Sequence, residues 1–135
     1  MNDTLNTGSL ARKIGLKEGH RLMLVGAPPG WSIEGSPKDV RVTRKGNATS
    51  ADIVIAFFRD LVTMQEAVPR LARKIFPDGA LWLAWPRRAA GHKSDITDNG
   101  IRSVVLPLGL VDIKVAALDD DWSGLKVVWR KERRQ

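Results

Sequence analysis

Asp52-Ile53-Val54-Ile55-Ala56-Phe57-Phe58 decides the fold. The run is apolar and rich in β-branched and aromatic side chains, the pattern of a strand covered on both faces. Leu61, Met64, Val68, Leu71 and Ile75 follow at intervals of 3, 4, 3 and 4, which is one face of a helix. Thr63 and Glu66 make a capping box that would start this helix. Pro69 lies inside it and predicts a kink, or a split into two short helices. Pro77-Asp78-Gly79 is a turn, and Ala80-Leu81-Trp82-Leu83-Ala84-Trp85 is a second buried strand, stopped by Pro86. Strand, helix, strand implies a parallel pair joined by a right-handed crossover.

The same units extend both ways. Ser9 caps a short helix through Leu10 and Ile14, and Gly15 ends it. Residues 21–26 read as a strand, apolar on both faces over Leu22 to Val25. Residues 31–50 are rich in Gly, Pro, Ser and charge, with a weak strand at Val40-Arg41-Val42-Thr43 and a turn at 45–50. Downstream, residues 87–95 form a basic loop. Thr97 caps a helix whose face is Ile101, Val104, Val105 and Leu108, closed by Pro107 and Gly109. Leu110 to Leu118 is a strand with Val111, Ile113, Val115 and Ala117 facing one way and Asp112 and Lys114 the other. A turn over 119–124 leads to the last strand, Leu125 to Trp129, making an antiparallel hairpin. The expected fold is α/β: a Rossmann-like three-layer sandwich, its sheet mostly parallel, with a C-terminal antiparallel hairpin and a truncated first half.

The chain has 135 residues, 43% of them apolar and 27% charged, values of a folded single domain rather than a disordered chain. The expected organisation is a flexible N-terminus at 1–8, one domain over 9–129, and a basic tail at 130–135. No apolar run approaches the roughly 18 residues of a membrane helix, and the first nine residues contain no apolar core of a signal peptide. A cytoplasmic location is therefore expected. The absence of cysteine excludes a thiol nucleophile, a thiolate metal site and disulfides. Two histidines, His20 and His92, are too few for a His-rich metal site. Neither has an orienting partner nearby in sequence, as a catalytic role would require.

Ala51 to Trp129 resembles the second half of a class I methyltransferase domain, whose strand opening with Asp, helix, Pro-Asp/Gly-Gly turn and final hairpin are matched here. The resemblance implies fold, not activity. It fails in the first half. A cofactor-binding version has Gly-x-Gly-x-x-Gly after the first strand, so that backbone N–H groups approach the ligand. This chain has Gly26-Ala27-Pro28-Pro29-Gly30, in which two residues lack an N–H, and its second strand ends at Arg44 where an acid would hold a ribose. No cofactor is therefore expected. Residues 9–132 also resemble a family of small bacterial proteins that share a domain of unknown function. The likeness rests on Leu-Val-Gly-Ala-Pro (24–28), Pro-Asp-Gly-Ala-Leu-Trp with Ala-Trp-Pro (77–86), Leu-Pro-Leu-Gly-Leu-Val-Asp (106–112) and Asp-x-Trp-Ser-Gly-Leu (120–125). That family brings no activity to carry over.

In an open parallel sheet, ligands bind beyond the carboxyl ends of the strands. Those ends carry Gly26, Gly30 and Trp31, then Arg59, then Trp85, Arg87 and Arg88. Gathered together, they would offer indoles to stack on a flat ring and guanidinium forks to hold a carboxylate or phosphate. Asp119-Asp120-Asp121 lacks the spacing of a calcium loop and reads as a turn. Ser123 is no nucleophile elbow, because no helix follows it. No acid, base, nucleophile or metal set stands out, so the first expectation is a non-catalytic module for a small anionic ligand or a protein partner. The formal net charge is +7, and the last seven residues contribute +3 of it. That tail and the Arg87-Arg88 loop make a nucleic-acid binder the first alternative. A degenerate methyltransferase-like enzyme is the second. The hairpin edge, carrying Val127 and Trp129, offers a route to a homodimer.

Overall fold

A computed structural model describes residues 9–44 and 48–135. The residues expected to form a flexible N-terminus, and residues 45–47 of the expected turn at 45–50, lie outside the described residues.

Helix α1 spans Leu10–Ile14. The Ser9 hydroxyl accepts the Arg12 N–H at its start, and Gly15 closes it in the left-handed region (φ 80°). Strand β1 is Arg21–Val25, β2 is Arg41–Thr43 and β3 is Ile53–Phe57. Helix α2 spans Leu61–Lys74 without interruption. Two expectations fail here. Asp60, not Thr63, is the N-cap: its carboxylate accepts the Thr63 N–H at 2.9 Å, and the Thr63 hydroxyl donates to the same group. Pro69 removes one intrahelical donor but does not divide the helix, because Met64, Val68, Leu71 and Ala72 on either side of it are all buried. Packing of one continuous apolar face outweighs one missing hydrogen bond.

Strand β4 is Ala80–Pro86, buried at every position. The basic loop that follows contains a single 3₁₀ turn, Arg88–Ala90. Helix α3 spans Asp98–Val105, capped by the Thr97 hydroxyl on the Gly100 N–H. It runs into a second 3₁₀ turn, Leu106–Leu108, ended by Gly109 at φ 95°. Strand β5 is Leu110–Ala117 and β6 is Trp122–Trp129, which starts three residues before the expected Leu125.

The six strands lie in the order β2-β1-β3-β4-β6-β5. The first four are parallel; β6 runs antiparallel to both β4 and β5. This is the expected mostly parallel sheet with a C-terminal antiparallel hairpin. The last strand is inserted between β4 and β5, so Val127 is fully buried rather than at an exposed edge. The edge is β5 instead. A bulge between Asp112 and Lys114 reverses the parity of that strand. Asp112 faces α3 and meets Arg102 at 2.8 Å, while Lys114 pairs with Lys126 and faces the other side. The apolar face expected along β5 is thereby lost, and Ile113 and Val115 are exposed.

The sheet divides the core in two. Helices α2 and α3 cover Met23, Val54, Leu81, Leu83, Trp85, Leu125 and Val127 on one face. On the other, α1 and the segment after β1 cover Leu22, Leu24, Ile55, Phe57, Trp82 and Trp122. No described helix is long and apolar enough to cross a membrane.

Candidate functional site

The carboxyl ends of β1, β3 and β4 lie side by side, joined at the same edge by the start of β6. Four loops therefore converge there: 26–31, 58–60, 87–95 and 118–121. Each is tied down. Gly26 (φ 70°) sits so close to β3 that a Cβ would come within 3.0 Å of the Phe57 carbonyl oxygen. The Trp31 N–H closes a turn on the Pro28 carbonyl, with Gly30 at φ 76°. The Ser94 hydroxyl donates to the Arg59 carbonyl, and the Asp95 carboxylate accepts the Leu61 N–H, which fastens the basic loop onto the start of α2. The Asp119 carboxylate accepts the N–H groups of Asp121 and Trp122, so the aspartate-rich turn holds itself together. Among the described residues no group of three potential metal ligands is close enough to hold an ion.

These loops enclose a cavity of about 250 Å³ lined by Pro28, Arg59, Pro86, His92, Asp121 and Trp122. The Arg59 guanidinium lies over the Trp122 indole, 5.2 Å from its centroid. In the same lining, His92 Nε2 stands 3.0 Å from the Asp121 carboxylate. This supplies the orienting group that His92 lacks in sequence. The two residues sit in different loops, 29 positions apart, and no local pattern connects them. Trp122 reads from sequence as packing alone; it is buried, and its ring also forms the cavity wall.

Of the seven residues expected to share a cleft, only Arg59 lines this cavity. Gly26 and Gly30 shape the first loop without lining it. Trp31 and Trp85 belong to opposite faces of the sheet. Trp31 packs edge-on against Phe57 at 4.9 Å, and its indole N–H donates to Asp119 at 2.9 Å. Trp85 packs beneath α2 and α3. Each is only 9% exposed, and neither lines the cavity. The Arg87 guanidinium is spent on the carbonyls of Asp119 and Asp120, at 3.2 and 3.3 Å. Arg88 is exposed in its 3₁₀ turn and is not among the residues that line the cavity. The basic tail turns back on the body: the Arg130 N–H donates to the Gly109 carbonyl, and Arg134 Nε donates to the Trp129 carbonyl.

The magnesium protoporphyrin IX methyltransferase of Synechocystis PCC 6803 superposes with a TM-score of 0.60 over 95% of this chain and 81% of that one, at 12% identity. A ribosomal protein methylase from Lactobacillus delbrueckii gives 0.59 over 90% and 75%, at 10% identity. An adenosylmethionine-dependent methyltransferase from Aquifex aeolicus gives 0.53 over 87% and 86%, at 12% identity. The fold is that of the class I methyltransferases. No family model matches the chain, and no curated protein matches it. The likeness to a small bacterial family gains no support from these comparisons.

The methyltransferase fold implies adenosylmethionine, held at the carboxyl edge beyond the first two strands. The residues present do not fit that group. Pro28 and Pro29 offer no N–H where the cofactor loop would donate. Arg44 stands where an acid would hold the ribose, and its guanidinium donates to the Trp31 carbonyl at 3.0 Å. Trp31 itself is buried over this edge. An arginine strap thus ties the end of β2 to the loop after β1.

Proposed function

We propose that this chain is a Rossmann-like binding module for a small anion, taken into the cavity between Arg59, Trp122 and His92. The observation that carries the reading is the Arg59 guanidinium. It is held against an aromatic ring at the cavity wall and forms no ion pair among the described residues. Stacking fixes the guanidinium plane and leaves its N–H fork available to a carboxylate or phosphate. His92, held by Asp121, is a further polar group of the lining. At about 250 Å³ the space takes a small ligand rather than a dinucleotide.

Intrinsic tryptophan fluorescence tests this directly. Titration with phosphate, pyrophosphate, citrate and a nucleoside monophosphate should give a saturable change with at least one of them. Arg59→Gln should weaken that binding about tenfold, the loss of one charge-assisted contact. Flat titrations across the panel overturn the proposal.

The structural neighbours favour a second reading, a degenerate methyltransferase-like enzyme. The poor fit at Pro28, Trp31 and Arg44 weighs against the usual cofactor pose. Calorimetric titration with adenosylmethionine separates the two readings: measurable heat of binding supports the enzyme, and its absence removes it.

A further inference from the structure

A further cavity lies away from the carboxyl edge. About 530 Å³ opens at the opposite, amino edge of the sheet, below β1, β3 and β4. One side of it is cationic, formed by Lys17, His20, Arg21 and Lys126. The other is apolar, with Ile53, Ile75, Phe76 and Pro77. Ile53 and Ile75 are buried, whereas Phe76 remains 44% exposed at the mouth.

The charge on the cationic side is not balanced. Of the two acids in the lining, Asp52 is committed to Arg21, accepting its backbone N–H at 2.7 Å and its guanidinium at 3.3 and 3.4 Å. Asp78 lies exposed in the turn before β4 and forms no ion pair among the described residues. Lys126 sits directly across the ladder from Lys114, a like-charge cross-strand pair. Its amino group approaches the end of α1: a Cβ placed on Gly15 would stand 3.6 Å from Nζ. Lys114 Nζ lies 6.0 Å from the centre of the buried Trp82 ring. Burial, then the charges of Lys114 and Lys17, push the Lys126 ammonium below its ordinary pKa. His20 accepts the Lys17 N–H through Nδ1, which leaves Nε2 as the free polar atom of the ring.

Two lysines and a histidine thus line a cavity in which Asp52 is already paired with Arg21 and Asp78 lies in the exposed turn. A dianion would relieve the repulsion, and the apolar wall would accept whatever body carries it. We propose that the amino-edge cavity is a second ligand site, taking a phosphate monoester with an apolar body. Lys126 and Lys17 hold the phosphate as point charges, and Ile75, Phe76 and Pro77 pack against the organic group.

Isothermal calorimetry with phenyl phosphate, inorganic phosphate and benzyl alcohol tests the assignment. Phenyl phosphate should bind saturably, inorganic phosphate more weakly, and benzyl alcohol not at all. Lys126→Met should weaken phenyl phosphate binding about tenfold, and Arg70→Gln, on the exposed side of α2, should leave it unchanged. Should Lys126→Met fail to fold, Lys17→Gln at an exposed position carries the same expectation of weaker binding. The proposal is overturned if phenyl phosphate gives no saturable heat, if benzyl alcohol binds equally well, or if the lysine variants that fold bind like the wild type.

Discussion

Gly79 shows how much a single residue can decide. A Cβ there would lie 2.8 Å from the Asp52 carbonyl oxygen, 2.9 Å from that of Ile75 and 3.0 Å from that of Ala51. All three are backbone atoms and cannot swing away. The glycine of the Pro-Asp-Gly turn is therefore a packing requirement of three segments, beyond its role in turning the chain. Gly79→Ala should cost about 2–3 kcal/mol, read as a lower urea midpoint with an unchanged slope. At the carboxyl edge, the separation of Trp31 from Trp85 comes from strand parity. Trp82 and Trp85 are three apart on one strand, so they face opposite sides of the sheet. Trp31 joined the side of Trp82. That much was legible in the alternation along β4, but which side the segment after β1 would cover was not. The His92–Asp121 contact was not legible at all, because it joins the tips of two loops that only the finished sheet brings together.

Among the elements, those with a single strong period were readable from sequence. β1, β3 and β4 are apolar on both faces, and α2 and α3 each carry one apolar stripe. Elements whose outcome depends on a neighbour were not. The bulge in β5 responds to its pairing with β6 and to Arg102 on α3, neither of which the strand's own pattern records. The start of α2 turned on the choice between two caps, and Asp60 won because its carboxylate bonds both the N–H and the hydroxyl of Thr63. The cap of α3 can be tested by itself. Thr97→Ala removes the acceptor of the Gly100 N–H and should cost about 1 kcal/mol, a fall of about 3 °C in the thermal midpoint. The Lys114–Lys126 pair predicts the opposite sign. Lys114→Gln should raise stability by about 0.5 kcal/mol at low ionic strength. The gain should shrink as salt is added, since salt already screens the repulsion it removes.

At the scale of the molecule, carboxylates set the acid limit of stability. At Asp52, burial opposes the charge, but hydrogen bonds from Arg21 and the charges of Arg21 and His20 outweigh it and hold the carboxyl below its ordinary range. The Thr63 N–H and hydroxyl do the same for Asp60, and the Arg102 guanidinium does so for Asp112. A carboxyl depressed in the fold binds its proton more readily once unfolded. Its contribution is therefore whole above the unfolded pKa of about 3.9 and disappears as pH falls through the lower folded value. Thermal midpoints should hold level down to about pH 5 and then decline, and Asp52→Asn together with Asp112→Asn should flatten the decline.

The strand order has a consequence for how the protein is made. β4, the longer of the two strands buried at every position, takes one of its two partners from β6 through contacts from Leu81–Val127 to Pro86–Trp122. During synthesis on the ribosome, that flank of β4 stays uncovered until residues 122–129 emerge, even though β3 is ready on the other side. A nascent chain released before Trp122 would carry an open, water-averse seam from Ala80 to Pro86, a target for chaperones and proteases and a nucleus for clumping with its own kind.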